Sequence, residues 1–517
     1  KSLFYMKGMQ DMGIISVAKH FPGHGDTDKD SHYTLPVISK PFREIDSIHL
    51  FPFKYLIQRG LMGVMTAHLA VPAIDPDPKG ISSLSSPIIN GLLKEQLGFN
   101  GLIVTDGLEM KAIADYVHPD SVEIKALLAG NDILLLPVNT PRAICNIQNA
   151  VKKGIIPESL IEERCRKILS YKYKVGLARK PFTDPENLFD DLNTPEAKLL
   201  NRRLIEASLT VPVNKNNLLP LRRPDTLRIA TVETGGQGSQ VFGQRMNVYA
   251  PVSPHTIDKS APADEFNTLF NKLSGFDLVF VCVRETSQYP MDNYGITRQT
   301  RDFIRSLAEK TQVVLVLAGN PYSLSLFEPV DQLSAILVAY HDTDLGVDLT
   351  AQAIFGAFSV TGEMPVSVSE TIKAGHGERL QDLQRLKYTI PEETAIKREW
   401  LSKVDSIALN GISEEAYPGC RIMAVLDGKV IYDECFGYHT YEKTQAVRHD
   451  DVYDIASVTK IAAATLAIMH LYQHKLIDID HRISRYLPEL ANSNKKNIVI
   501  RDLMTHQARL QAWIPFY

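Results

Sequence analysis

"GFNGLIVTDGLEM", residues 98–110, decides how the first region of the chain folds. Upstream, "SPIINGLLKEQLG" (86–98) spaces its apolar residues as a helix does, and Gly98 stops it. Leu102 to Thr105 then form a short apolar run without polar alternation. That is the pattern of a strand covered on both faces in a parallel sheet. Asp106 follows where the strand ends.

Three other stretches share this form: "GIISVAKHF" (13–21), "LMGVMTAHLA" (61–70) and "NDILLLPVN" (131–139). Helical patterns lie between them, among them "FREIDSIHLFPFKYLIQRG" (42–60). Repeated βα units specify a parallel sheet, open or closed into a barrel. The polar residues collect at strand ends: Lys19 and His20, His68, Asp106. A (β/α)8 TIM barrel builds its active site in this way, from the loops after the strands. Four strands make half of such a barrel, so residues 1–180 read as its C-terminal half, with the other half expected upstream.

A Pro- and Asp-rich stretch, "KPFTDPENLFDDLNTPE" (180–196), marks a boundary. Beyond it, "LRIATVETGGQGS" (227–239), "FDLVFVCVRETS" (276–287), "TQVVLVLAGNP" (311–321) and "LSAILVAYHDTD" (333–344) are strands with helices between, a second α/β layer domain over 181–372. The polar run "HGERLQDLQRLKYTIPEETAIKRE" (376–399) reads as a linker, placed at 373–395. The third region, 396–517, opens with a helix around "EWLSKVDSIALNGI" (399–412). A hairpin follows, "CRIMAVLDGKVIYDECFGY" (420–438), turning at Asp427-Gly428. After it comes a helix, "SVTKIAAATLAIMHLYQHK" (457–475).

With 44% hydrophobic and 22% charged residues, the 517-residue chain can bury several cores. Its net charge of −4 and lack of a long basic run argue against binding nucleic acid or an anionic membrane. No apolar run reaches transmembrane length. Cys145, Cys165, Cys282, Cys420 and Cys435 are scattered without metal-ligand spacing, and read as buried free thiols. The chain opens "KSLFYMKGMQ" without an initiator Met and closes "QAWIPFY", so both ends read as cut.

Most of the titratable chemistry lies in "KHFPGHGDTDKDSH", Lys19 to His32. Asp26, Asp28 and Asp30 alternate as in a calcium loop, but Ser31 and Val37 occupy the positions that need Gly and Glu. His20 and His24 have the spacing of zinc ligands on a helix. Phe21 stands where the zinc-protease Glu would be, and Pro22 and Gly23 oppose a helix. No metal is expected. Two readings stay open on the residues alone: a decorated surface loop, or an acid/base apparatus in which a carboxylate beside an imidazole fixes its tautomer and charge.

Together with "VMTAHLAVPAID" (64–75) and "GFNGLIVTDGLEM", this stretch resembles glycoside hydrolase family 3, in its β-N-acetylglucosaminidase branch. "EASLTVPVNKNNLLPL" (206–221) and "AIFGAFSVTGEMPVSV" (353–368) look like the start and finish of that family's α/β sandwich domain. The resemblance implies a retaining glycosidase acting on a carbohydrate, an N-acetylglucosamine-terminated glycan or muropeptide, without a cofactor. It makes Asp106 the nucleophile and His32 the general acid/base, with Asp30 as its dyad partner. Lys19 and His20 match sugar-binding residues. His68 lines the pocket, His24 is loop structure, and Asp26 and Asp28 are solvated loop residues. Gly107 stands where many relatives carry a second Asp. A β-glucosidase of the same family is the alternative. The implied setting is bacterial wall turnover or glycan salvage, in the cell envelope, the periplasm or outside the cell.

A second nucleophile is offered by Ser457-Val-Thr-Lys460, whose spacing puts Ser and Lys on one helix face. With "DGKVIYDECFGY" (427–438), "LIDIDHRISRYLPEL" (476–490) and "IRDLMTHQ" (500–507), it resembles the serine β-lactamase, penicillin-binding and esterase superfamily. Region 396–517 is thus expected to be the start of an α+β serine β-lactamase-like domain. The superfamily's later Tyr-x-Asn and Lys/His-x-Gly elements do not occur after Lys460, and "HQARL" from His506 stands for its His-Thr-Ser-Gly-Leu element. No β-lactam hydrolysis is expected of these residues alone.

Overall fold

Strands β1 (Val17–Phe21), β2 (Gly63–Thr66) and β3 (Leu102–Thr105) form a parallel sheet in the order β1-β2-β3. They belong to the computed structural model of the chain, which describes residues 1–27, 29–31, 33–77, 80–179, 185–235, 240–511 and 514. The chain divides into two units, Lys1–Leu188 and Phe189–Tyr517.

In the first unit β2 and β3 run in direct register, from Gly63 opposite Leu102 to Thr66 opposite Thr105. Their ends therefore lie side by side. β1 carries one extra residue against β2 between Ala18 and Phe21, a bulge at Lys19 and His20. Phe21, Val64 and Ile103 are fully buried with Ile88, Ile89, Leu92 and Leu93 of the π-type helix Pro87–Gln96. Gly98, at φ +66°, lies just past the end of that helix. The helical stretch 42–60 is broken into segments, the last of them Phe51–Ile57 with Pro52 in its first turn.

The fourth expected strand, 131–139, is reduced to one parallel bridge between Ile133 and Val104. Side chains take the donors that a longer ladder would use. Ile103 N–H donates to Asp132 Oδ2 at 2.8 Å, and Leu135 N–H donates to Thr105 Oγ1 at 2.9 Å.

The second unit is built on β4 (Thr210–Asn214), β5 (Ile229–Thr234), β6 (Val252–Ile257), β7 (Leu278–Val283), β8 (Gln312–Leu317) and β9 (Ala335–Val338), in the order β4-β9-β8-β7-β5-β6. Every neighbouring pair is parallel except β4 with β9. Leu278, Phe280 and Cys282 pack with Phe242 and Met246 of helix Val241–Tyr249 and Val347 and Leu349 of helix Asp344–Ile354. Val279, Val281 and Val283 face Phe266 and Leu269 of helix Ala263–Leu273 and Phe303 and Ile304 of helix Arg298–Ala308. Both faces are covered, which is why these strands are apolar without alternation.

Further along, β11 (Gly419–Leu426) and β12 (Lys429–Gly437) form an antiparallel hairpin. Asp427 (φ +49°) and Gly428 (φ +73°) make its turn, with the positive φ pair that matches strand twist. The presumed linker differs from expectation: it contains β10 (Lys387–Tyr388), which pairs parallel with β12, giving the order β10-β12-β11. Buried polar partners hold it. Lys387 Nζ donates to Glu206 Oε2 (2.8 Å) and Glu393 Oε1 (2.9 Å), and Tyr388 N–H to Gln352 Oε1 (2.8 Å).

All five cysteines are free, but only Cys282 is buried, which corrects the expectation for the rest. Cys145 and Cys165 lie on exposed sides of helices Thr140–Lys152 and Glu158–Lys174, and apolar neighbours in sequence did not distinguish the faces. Among the described residues no helix is long and apolar enough to cross a membrane.

Candidate active site

Asp106 extends the ordered backbone one step past β3: its N–H donates to Thr66 O at 2.9 Å. Its side chain is 17% exposed and its two oxygens have different surroundings. Oδ1 accepts the N–H of Gly107 at 3.0 Å, whereas Oδ2 lies 3.7 Å from His20 Nε2. Burial depresses the His20 pKa below its usual 6.5, against the pull of Asp106 and with help from Lys19, His24 and His68. The imidazole beside the carboxylate is therefore neutral near pH 7. Lys19 is exposed on the β1 bulge, and Lys19, His20, His24 and Asp26 line one open cleft.

His68 follows β2 by two residues and is fully buried. Its Nε2 lies 2.9 Å from Gly107 O and its Nδ1 2.8 Å from Ser83 Oγ. A carbonyl only accepts, so Nε2 carries the proton, and the neutral ring accepts the Ser83 hydroxyl at Nδ1. Burial keeps the His68 pKa low, opposed by the Gly107 hydrogen bond and Asp106. Behind it, Asn131 Nδ2 donates to Ser83 O and Ala126 O, both at 2.8 Å, and Asn131 Oδ1 accepts from Thr66 Oγ1 at 2.9 Å. Ser83, Asn131 and Thr66 were missed in the sequence. A signal existed for Asn131 alone, which with Asp132 opens an apolar run.

The loop after β1 is tied down at identifiable points. His24 Nδ1 is 2.9 Å from Thr27 Oγ1. Asp26 Oδ2 lies 3.6 Å from Lys40 Nζ and 3.7 Å from His49 Nε2. Asp26 is thus half-exposed and ion-paired, not simply solvated. Asp30 is exposed, and its carbonyl accepts the N–H groups of Tyr33 and Thr34, each at 3.1 Å. His32 and Asp28 lie outside the described residues. The site therefore brings together Asp106, His20 and, through Gly107, His68, with Lys19 on the same strand end. Among the described residues no group of three or more His, Cys, Asp or Glu side chains could hold a metal ion. In the second unit, Lys460 Nζ donates to Ser457 Oγ at 2.8 Å, and both residues are exposed.

Residues 2–171 match the glycosyl hydrolase family 3 N-terminal domain, and residues 212–399 match the C-terminal domain of the same family. The chain belongs to glycosyl hydrolase family 3. Residues 404–517 match the β-lactamase family, so this family 3 chain continues into a β-lactamase-like region. It is 24% identical to β-hexosaminidase A of Pseudoalteromonas piscicida over 416 residues, 71% of this chain and 68% of the relative. It is 39% identical to a β-hexosaminidase of Nitrosomonas eutropha over 131 residues, 25% of this chain and 37% of that protein. The chain thus spans about two thirds of one of these relatives and little more than a third of the other. Among solved structures, a family 3 β-N-acetylglucosaminidase from Paenibacillus sp. superposes with a TM-score of 0.59 at 26% identity, covering 70% of this chain and 69% of that one. A β-glucosidase from Listeria innocua shares the fold, with a TM-score of 0.57 at 17% identity over 71% of this chain and 53% of that one.

Proposed function

We propose that this chain is part of a retaining glycoside hydrolase that removes terminal β-linked N-acetylglucosamine from glycans or wall fragments. The observation that carries the reading is the Asp106 carboxylate at the end of β3, with Oδ1 held by Gly107 and Oδ2 turned toward His20. Asp106 Oδ2 attacks the anomeric carbon, and the C–O bond to the leaving group breaks as His32 protonates that oxygen. Water, deprotonated by His32, then opens the glycosyl-aspartate ester. Asp30 orients His32, while Lys19 and His20 hold sugar hydroxyls. The names of the relatives support an N-acetylhexosamine over glucose.

The parallel order β1-β2-β3 and the Ile133 bridge support reading residues 1–180 as the C-terminal half of a (β/α)8 barrel. The sandwich domain then covers 181–372, the connecting segment 373–395 and the β-lactamase-like region 396–517. The test uses the intact gene product and an aryl β-N-acetylglucosaminide. Asp106→Asn is expected to lower turnover at least about 10³-fold, and NMR of the first product is expected to show the β-anomer. Wild-type turnover in that variant would refute the assignment, and turnover of the glucoside alone would move it to a β-glucosidase.

The Ser457–Lys460 hydrogen bond favours a second activity, that of a penicillin-binding, peptidase or esterase-type serine hydrolase. Covalent labelling of the intact protein by a fluorescent penicillin, lost in Ser457→Ala, is the expected result. Equal labelling of both proteins excludes Ser457.

A further inference from the structure

We propose that His68 is a positioning residue that selects which oxygen of Asp106 attacks, by holding Gly107 in place. The inference rests on the reading of Asp106 as nucleophile. It differs from the pocket-lining role that the sequence assigned to His68.

His68 does not meet a sugar: it is fully buried, and each ring nitrogen already has a protein partner. What it does hold is the carbonyl of the residue after the nucleophile. The N–H of that same residue, Gly107, holds Asp106 Oδ1. One donor occupies one carboxylate oxygen, so Oδ2 keeps its lone pairs for the anomeric carbon.

Gly107 explains why a tether is required. The nearest atoms to a Cβ built there belong to Met110 and Leu136, at 3.7–3.8 Å, so space does not demand a glycine. Without a side chain the backbone at 107 has wide φ/ψ freedom, and its N–H has correspondingly little intrinsic direction. The 2.9 Å bond from His68 restrains it from the side chain, beside two backbone bonds, Met110 N–H to Gly107 O at 3.1 Å and Leu108 N–H to Leu135 O at 2.9 Å. Ser83 fixes the tautomer that makes Nε2 the donor, and Asn131 holds Ser83 through its carbonyl.

The experiment compares wild type, His68→Ala, His68→Gln, Ser83→Ala and Asp106→Asn in the intact protein. Readouts are kcat on an aryl N-acetylglucosaminide, the rate of covalent labelling by a 5-fluoro N-acetylglucosaminyl fluoride, and calorimetric affinity for free N-acetylglucosamine. His68→Ala is expected to lower kcat and the labelling rate about 10²-fold, the usual cost of a small misplacement. Sugar affinity should stay within about twofold, because binding is left intact. His68→Gln keeps a donor near Nε2 and should recover about tenfold, one hydrogen bond's worth. Wild-type kcat in His68→Ala overturns the proposal, and so does a loss confined to sugar affinity, which would make His68 a substrate contact. If His68→Ala does not fold, Ser83→Ala decides: about a tenfold fall in kcat at unchanged affinity supports the tether, and a wild-type kcat refutes it. Asp106→Asn separates the two layers. Activity there sinks the nucleophile and this inference together, whereas an inactive Asp106→Asn beside an active His68→Ala sinks the inference alone.

Discussion

Gly23 and Gly25 stand on either side of His24, yet the fold needs only one of them. Gly23 has φ +132°, and a Cβ there would lie 2.7 Å from the Cβ of His49. Gly25 has open space around it. Gly23→Ala is therefore expected to destabilise the first unit by about 1–3 kcal/mol through backbone strain and overlap, while Gly25→Ala leaves the melting temperature nearly unchanged. Thermal unfolding followed by circular dichroism distinguishes them. Equal melting temperatures would show that His49 yields to the new methyl. At this scale the sequence is informative where a polar residue closes an apolar strand, as Lys19, His20 and Asp106 do. It misled on His68, which the family resemblance placed on the pocket wall, because a histidine two residues past a strand can face the cleft or the core. The packing of Ser83 and Gly107 around the ring, contributed by segments distant in sequence, settles that choice.

Strand β10 is the clearest case of an element hidden in polar sequence. "RLKYTI" does alternate polar and apolar residues as a strand does, but six residues inside a long polar run do not stand out, and its stability comes from partners outside the stretch. Lys387 is buried between Glu206 and Glu393, Glu393 also pairs with Lys429 at 3.2 Å, and the Arg245 guanidinium lies 4.2 Å over the Tyr388 ring. The amide and carbonyl of Tyr388 both bond to Gln352. Lys387→Met removes the buried cation shared by two carboxylates but leaves Glu206 with Arg202 at 3.3 Å and Glu393 with Lys429, an expected loss of about 1–3 kcal/mol. The two lysines and the Thr389 hydroxyl outweigh burial and bring the Glu393 pKa down to about 2. Its contribution is full above the ordinary value of 4.5 and is lost as the pH falls toward 2. Urea unfolding of the second unit at pH 7 and pH 3 measures both effects. A Lys387→Met midpoint equal to wild type at pH 7 would show that the cluster contributes nothing. The apolar strands β7, β8 and β9, by contrast, were legible directly, because burial on both faces leaves a continuous hydrophobic run.

For the whole molecule, the order of regions could be read from composition shifts and from the two nucleophile motifs, while the joints between them could not. Regular elements announce themselves through their own residues, whereas a joint is defined by what it touches. Lys387 N–H donates to Gly428 O at 3.0 Å and Thr389 N–H to Val430 O at 3.0 Å. The hairpin β11–β12 therefore owes its outer neighbour to a segment that lies before its own leading helix. A recombination event that carried the β-lactamase-like region to another gene with a breakpoint after Ala395 would leave that edge bare. One with the breakpoint ahead of Leu386 would bring the edge along. The structural module is accordingly longer than the catalytic-looking one.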